Sequence, residues 1–170
     1  SPVVTDGDRT VAESGAIVEY LVETYGNGRF EPPAGSADRL RYRYFLHFAE
    51  GSMMPPLLMK LVFSRLPAGA PALVRPVARA IADKALKTFV QPQLDQILKF
   101  LEGELANRDW FAGDAMSAAD IQMSFPLEGA AARGGLDGRY PRLTDFLARI
   151  HARPAYQRAL ERGGPYALLT

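Results

Sequence analysis

From residue 37 onward the apolar residues recur mainly every three or four positions, and no convincing strand pattern follows. That regularity restricts most of the chain to packed helices. The clearest stripe is Val90, Leu94, Ile97, Leu98, Leu101 and Leu105, in a helix expected over residues 72–106 with Pro92 as a bend. An earlier long helix is expected over 37–66. Pro55 and Pro56 remove two backbone donors from it, so it should kink near Met53. The stretch "NRDWFAGDAMSAADIQMSFPLEGAAARGG" holds a turn and a buried helix. Tyr140-Pro141 opens another helix to about Ala152, and Pro154 a short last one.

The first residues read differently. "PVVTDGDRTV" alternates around Asp6-Gly7, a strong hairpin signal. A lone hairpin is marginal in water, and no other strand pattern follows, so the rest of its sheet is expected upstream of residue 1. In "TVAESGAIVEYLVETYG" Ile17, Tyr20, Leu21 and Tyr25 share one helical face, which predicts a helix packed on that side. "GNGRFEPPAGSA" is rich in Gly and Pro and reads as a linker. The expected division is 1–26, the end of a small α/β domain; 27–36, the linker; and 37–170, an all-helical domain of five or six helices.

Composition narrows the function classes. The 170 residues are 48% hydrophobic and 23% charged, ordinary globular material, with a net charge of +1 that signals neither a nucleic-acid nor a membrane-surface field. There is no cysteine, so thiolate metal sites and a cysteine nucleophile are excluded within these residues, and the two distant histidines cannot supply a transition-metal set. No apolar run approaches the roughly 20 residues that span a bilayer. A cytoplasmic location and no membrane partner are the expectations.

Glu13-Ser14 sits where its helix begins, and two readings compete. One is a capping box, Thr10-x-x-Glu13, satisfying free amides. The other is an anchor for a ligand carrying both a carboxylate and an amine, since helix N-termini attract anions. Spacing alone favours the cap. Ser117 and Asp120 form a second capping pair, with Met116 and Ile121 beside it as a hydrophobic staple. That pair concerns folding, not chemistry.

The order of a Pro before a hairpin, a Glu-Ser pair opening the next helix, and a Gly/Pro linker into a helical domain resembles the cytosolic glutathione transferases, of bacterial type. "FAGDAMSAADI" is similar to that family's G-D-x-S-x-A-D segment at the start of a buried helix. The resemblance covers the whole chain and implies that most of the family's thioredoxin-like N-terminal domain precedes residue 1. The fold it implies is mainly α: an all-α C-terminal bundle preceded by the last hairpin and helix of the thioredoxin-like domain.

The same resemblance assigns roles. Pro2 would be the family's cis-proline, and Ser1 would offer backbone groups to the cysteinyl part of glutathione. Glu13 would contact the γ-glutamyl ammonium and Ser14 the γ-glutamyl carboxylate, which reverses the preference for a cap. Glutathione is then the co-substrate, with no metal. The thiol-activating residue would lie upstream of residue 1, so the 170 residues alone are expected to be inactive. The electrophile pocket would be lined by the kinked helix, with Met54, Glu50 and Leu57 as candidates, His47, Gly51 and Leu58 lying near the same stripe. A flexible thioether such as Met54 suits a promiscuous apolar site.

Tyr20 and Tyr25 are expected to pack. His47 reads as a hydrogen-bonded packing residue or a subunit contact, His151 as structural, and Arg39, Arg41 and Arg43 as a solvated or salt-bridged face. The function implied is conjugation of glutathione to small hydrophobic electrophiles by a homodimer. The alternatives are a non-catalytic binding module of the same fold, or a glutathione-dependent reductase or isomerase.

Overall fold

The computed structural model describes residues 2–164. Strands β1 (Val3–Asp6) and β2 (Arg9–Ala12) form an antiparallel hairpin in which Val3 faces Ala12 and Asp6 faces Arg9. The two loop residues are therefore Gly7 and Asp8, one position later than the Asp6-Gly7 pair suggests. Gly7 takes φ 57, a value that the first central position of a tight hairpin turn demands and that glycine adopts without strain. No further strand occurs among the described residues.

Helix α1 (Ser14–Tyr25) follows and lays Ile17 and Val22 inward, packing against β2 and a later helix, α6. Its expected apolar face is only partly buried: Leu21 is 41% and Tyr25 54% exposed. The link to α2 (Ala37–Phe48) is ordered by its own contacts. Ala118 N–H donates to the Phe30 carbonyl at 2.7 Å, and Arg39 pairs with Glu31 at 2.5 Å. Ser36 caps α2 by accepting from Arg39 N–H. Arg41 reaches Glu104 at 2.7 Å while Arg43 stays exposed, so the three arginines form the solvated and salt-bridged face their spacing suggests.

The two expected long helices are each interrupted in one manner. A five-residue π turn, Ala49–Met53, joins α2 to α3 (Met54–Gly69), and another, Leu86–Val90, joins α4 (Arg75–Ala85) to α5 (Gln91–Glu104). Both end two positions before a proline, Pro55 (followed by Pro56) and Pro92. A proline ring clashes with the carbonyl four residues back and offers no N–H. Widening the turn by one residue re-aims those carbonyls, and Met54 N–H then bonds Ala49 C=O, five residues back.

Helix α6 (Ala118–Gly129) runs through the centre and ends in a third π turn, Ala130–Gly134. Helix α7 (Pro141–His151) and α8 (Pro154–Gly163) complete the chain. The core gathers Phe45 and Leu46 from α2, Leu98 and Leu101 from α5, Met123 and Leu127 from α6, and Phe146 from α7. Phe111 bridges it, 4.8 Å from the Phe45 ring and 5.0 Å edge-on to Phe146. The whole is mainly α, as the spacing predicts.

Candidate glutathione site and its neighbouring cavity

Helix α1 begins at Glu13, not at Thr10. Thr10 lies within β2, opposite Thr5, so the Thr10–Glu13 box does not form. Glu13 is itself the N-cap, with φ 75 and ψ 128, and its side chain makes no capping hydrogen bond to the helix. That backbone region is sparsely populated by residues with a Cβ and costs of order 1–3 kcal/mol. The first helical bond runs from Ile17 N–H to Glu13 C=O at 2.9 Å. Helix geometry then leaves the amides of Ser14, Gly15 and Ala16 without a carbonyl partner inside the helix. Glu13 is exposed and Ser14 half-buried beside it. The result is a carboxylate next to a helix start that carries hydroxyl and amide donors.

Tyr20 and Tyr25 do not simply pack. Tyr20 donates to Asp6 Oδ2 at 2.7 Å, and Tyr25 donates to the same oxygen. The bonds from Tyr25 and then Tyr20 hold the Asp6 carboxyl below its usual range. This fastens the hairpin turn to the far end of α1, and so orients the helix whose start is the site. Ser1 and the Ser1–Pro2 bond lie outside the described residues, while Pro2 is exposed ahead of β1.

A second feature lies between α3 and α6. An apolar cavity of about 80 Å³ is lined by Met54, Leu57, Leu58 and Leu61 of α3 and by Phe125, Gly129 and Arg133. Beside it Gly134 lets Leu57 of α3 approach: a Cβ there would stand 3.0 Å from Leu57 Cδ2 and 2.9 Å from Ala130 Cβ. Met54 and Leu57 thus share one cavity. Glu50 does not line it; on the π turn it accepts a hydrogen bond from Gln122 at 3.1 Å. His47 is exposed and makes no hydrogen bond among the described residues, contrary to a packing role. It borders a shallow groove with Leu40, Tyr44 and Phe48.

At the start of α6 the polar pair is wholly internal. Asp120 is fully buried and accepts from Phe111 N–H (2.8 Å), Ser117 N–H (2.7 Å) and the Ser117 hydroxyl (2.8 Å), completing the capping box. Burial pushes its carboxyl up, against the pull of those donors. Met116 packs against the core, but Ile121 is 43% exposed, so the staple is one-sided. One cluster escapes the sequence reading. Glu128, 2% exposed, has its Oε1 2.7 Å from His151 Nε2 and accepts from the Tyr156 hydroxyl at 2.8 Å. Burial, and then that bond, push Tyr156 up to about 12. Three separate elements contribute these residues, so no local spacing announces them. They tie α6, α7 and α8 together, in keeping with a structural His151.

Comparison with known proteins accords with this arrangement. The family model "Glutathione S-transferase, C-terminal domain" matches residues 58–154. Glutathione S-transferase 3 of Schizosaccharomyces pombe is 31% identical over 164 residues, covering 95% of this chain and 67% of that protein. A probable maleylacetoacetate isomerase of Vibrio cholerae is 28% identical over 98% of this chain and 73% of its own length. Among solved structures, a sphingomonad glutathione S-transferase complexed with glutathione aligns with a TM-score of 0.69 at 30% identity, over 98% of this chain and 75% of that one. The chain spans about two thirds to three quarters of these relatives' lengths. With the family model across more than half of it, and a 31% identical relative matched along nearly all of it, the chain belongs to the glutathione S-transferase family.

Proposed function

We propose that the protein binds glutathione at the start of α1 and transfers it, through its thiol, to small hydrophobic electrophiles. The observation that carries this reading is Glu13, held at φ 75 without capping the helix it begins. A residue kept in a costly conformation that leaves a helix start open suits a ligand-binding position better than a cap. The Glu13 carboxylate takes the γ-glutamyl ammonium. The Ser14 hydroxyl and the first-turn amides take the γ-glutamyl carboxylate, where the helix dipole favours an anion. The backbone of Ser1, before Pro2, takes the cysteinyl part.

Glutathione's thiol, with a free pKa near ~8.5, needs a donor that favours the thiolate, supplied in the family's manner by residues preceding Ser1. The thiolate sulfur then forms the S–C bond while the leaving group departs with the electron pair. Met54 and Leu57 receive the electrophile's apolar part in the α3–α6 cavity, whose volume of about 80 Å³ admits a small substituent, not a whole drug-sized molecule. Glu50 acts beside that pocket by holding α3's entry to Gln122. The acting unit is a homodimer, and only monomer by light scattering at micromolar concentration would contradict that part.

One specific observation favours a second reading: the likeness to a probable maleylacetoacetate isomerase. An isomerase would use the same γ-glutamyl anchor and regenerate glutathione, so glutathione consumption during turnover separates the two.

The binding step is tested by titrating glutathione calorimetrically into the protein and its Ser14→Ala variant. Loss of a hydrogen bond to a charged group should weaken binding by about 1 to 3 kcal/mol. Equal affinities would remove Ser14 from the site.

A further inference from the structure

The near-neutral total charge conceals a segregated one. Residues 54–90, which hold α3, α4 and the following π turn, carry six basic side chains and one acidic one, a net of +5, which leaves the rest of the chain at −4. Arg65, Arg75, Arg79, Lys84 and Lys87 are all exposed, and none is in an ion pair among the described residues. The same two helices hold a large share of the chain's exposed apolar side chains. Val62 and Leu66 lie one turn apart on α3. Val74, Val77 and Ile81 follow helical spacing where α4 begins, each of the three at least 48% exposed.

The tip between the helices combines both properties. The stretch "LPAGAPALV", residues 66–74, has no charged or hydrogen-bonding side chain, and Arg65 and Arg75 bracket it. Leu73 at this tip is 93% exposed. α3 and α4 pack on each other, while α4 buries only Ala82, so the hairpin's free end is not a core element.

We propose that the α3–α4 tip is a peripheral docking surface for an anionic lipid bilayer. Leu66, Leu73 and Val74 enter the boundary between headgroups and acyl chains. The flanking arginines, with long apolar stems and charged ends, stay among the lipid phosphates. Each cation near such a surface contributes attraction that fades within a Debye length. A second copy meeting it hairpin to hairpin is a poor occupant, because like charges would face each other. A nucleic acid would satisfy the cations and leave the apolar tip in water. A bilayer satisfies both, and it needs no pocket.

The test is co-sedimentation of the protein with phosphatidylcholine vesicles, with and without phosphatidylserine, at low and high salt. Binding should require phosphatidylserine and fall with salt. Leu73→Asp, and separately Arg65→Glu with Arg75→Glu, should each reduce partitioning by about tenfold or more. All three positions are exposed, so circular dichroism and thermal unfolding should match the parent. The chain has no cysteine, so a Leu73→Cys variant carrying a polarity-sensitive dye reports insertion directly and should respond only to anionic vesicles. Equal binding to both vesicle types, no binding to either, or unchanged binding by the variants would overturn the proposal. So would capture by soluble polyglutamate that is as strong as vesicle binding and indifferent to Leu73→Asp, since the partner would then be an acidic polypeptide.

Discussion

The starts of α1 and α6 carry similar residues in opposite surroundings. At α6, Ser117 and Asp120 close on each other and on Phe111 N–H within the core, and Ala118 N–H reaches the Phe30 carbonyl. At α1, Glu13 and Ser14 stand at the surface, with the backbone turned to φ 75 and no side-chain cap. A satisfied helix start stabilises the fold and has nothing left to offer a ligand. An open one contributes less to stability and keeps its donors available. The contrast teaches that a Ser beside an acidic residue is not one signal; the environment decides which job it does.

The largest expected effect lies on the α6 side. Asp120→Ala leaves two buried N–H groups and a hydroxyl without their acceptor, and should lower unfolding free energy by at least about 3 kcal/mol in a denaturant titration. A loss below about 1 kcal/mol would mean that the buried box is not what holds α6. Next is position 13. Because Glu13 sits at φ 75, Glu13→Gly should be more stable than Glu13→Ala by about 1 to 2 kcal/mol. Equal stabilities would remove the strain from the account. The paired serines follow: Ser117→Ala should cost about 1 kcal/mol, whereas Ser14→Ala should change stability without ligand by less than about 0.5 kcal/mol.

How much of this was legible beforehand follows from the range of each interaction. The Ser117–Asp120 box is local, within one turn, and its residues announce it. The helices after residue 37 are likewise set by apolar spacing, and the prolines mark their interruptions, although spacing alone does not say that the interruption is a π turn. Glu13's φ is different: it depends on how β2 feeds into α1, which no spacing encodes, so a box written as Thr10-x-x-Glu13 looks plausible and does not form. Tyr20 and Tyr25 fit an apolar stripe by position, yet their hydroxyls reach Asp6 across the hairpin. Likewise Glu128 meets His151 and Tyr156 only once three helices have packed. Met54 and Leu57 could be placed near each other by helical spacing. Phe125, Gly129 and Arg133, which close the other side of their cavity, come from α6 and the turn after it.

An effect of another kind, read in pH, concerns that buried Glu128 cluster, a polar group that, like the α6 box, serves structure. Tyr156 is raised to about 12, so the folded state keeps its proton after an unfolded tyrosine, near ~10, has lost it. The folded state then binds more protons, and stability falls as pH rises from about 10 to 12. Tyr156→Phe should flatten part of that fall in pH-resolved unfolding; an unaltered slope would show that Tyr156 does not contribute it.

The proposed site requires that the start of α1, and not that of α6, take the γ-glutamyl end of glutathione. Amide chemical shifts of isotope-labelled protein during a glutathione titration test it most directly. Saturable shifts are expected at Ser14, Gly15 and Ala16, with the Gly15 and Ala16 shifts needing more glutathione in Ser14→Ala and the Ala118 and Ala119 amides unmoved. Shifts that leave Ser14 and Gly15 in place while other residues respond would contradict it.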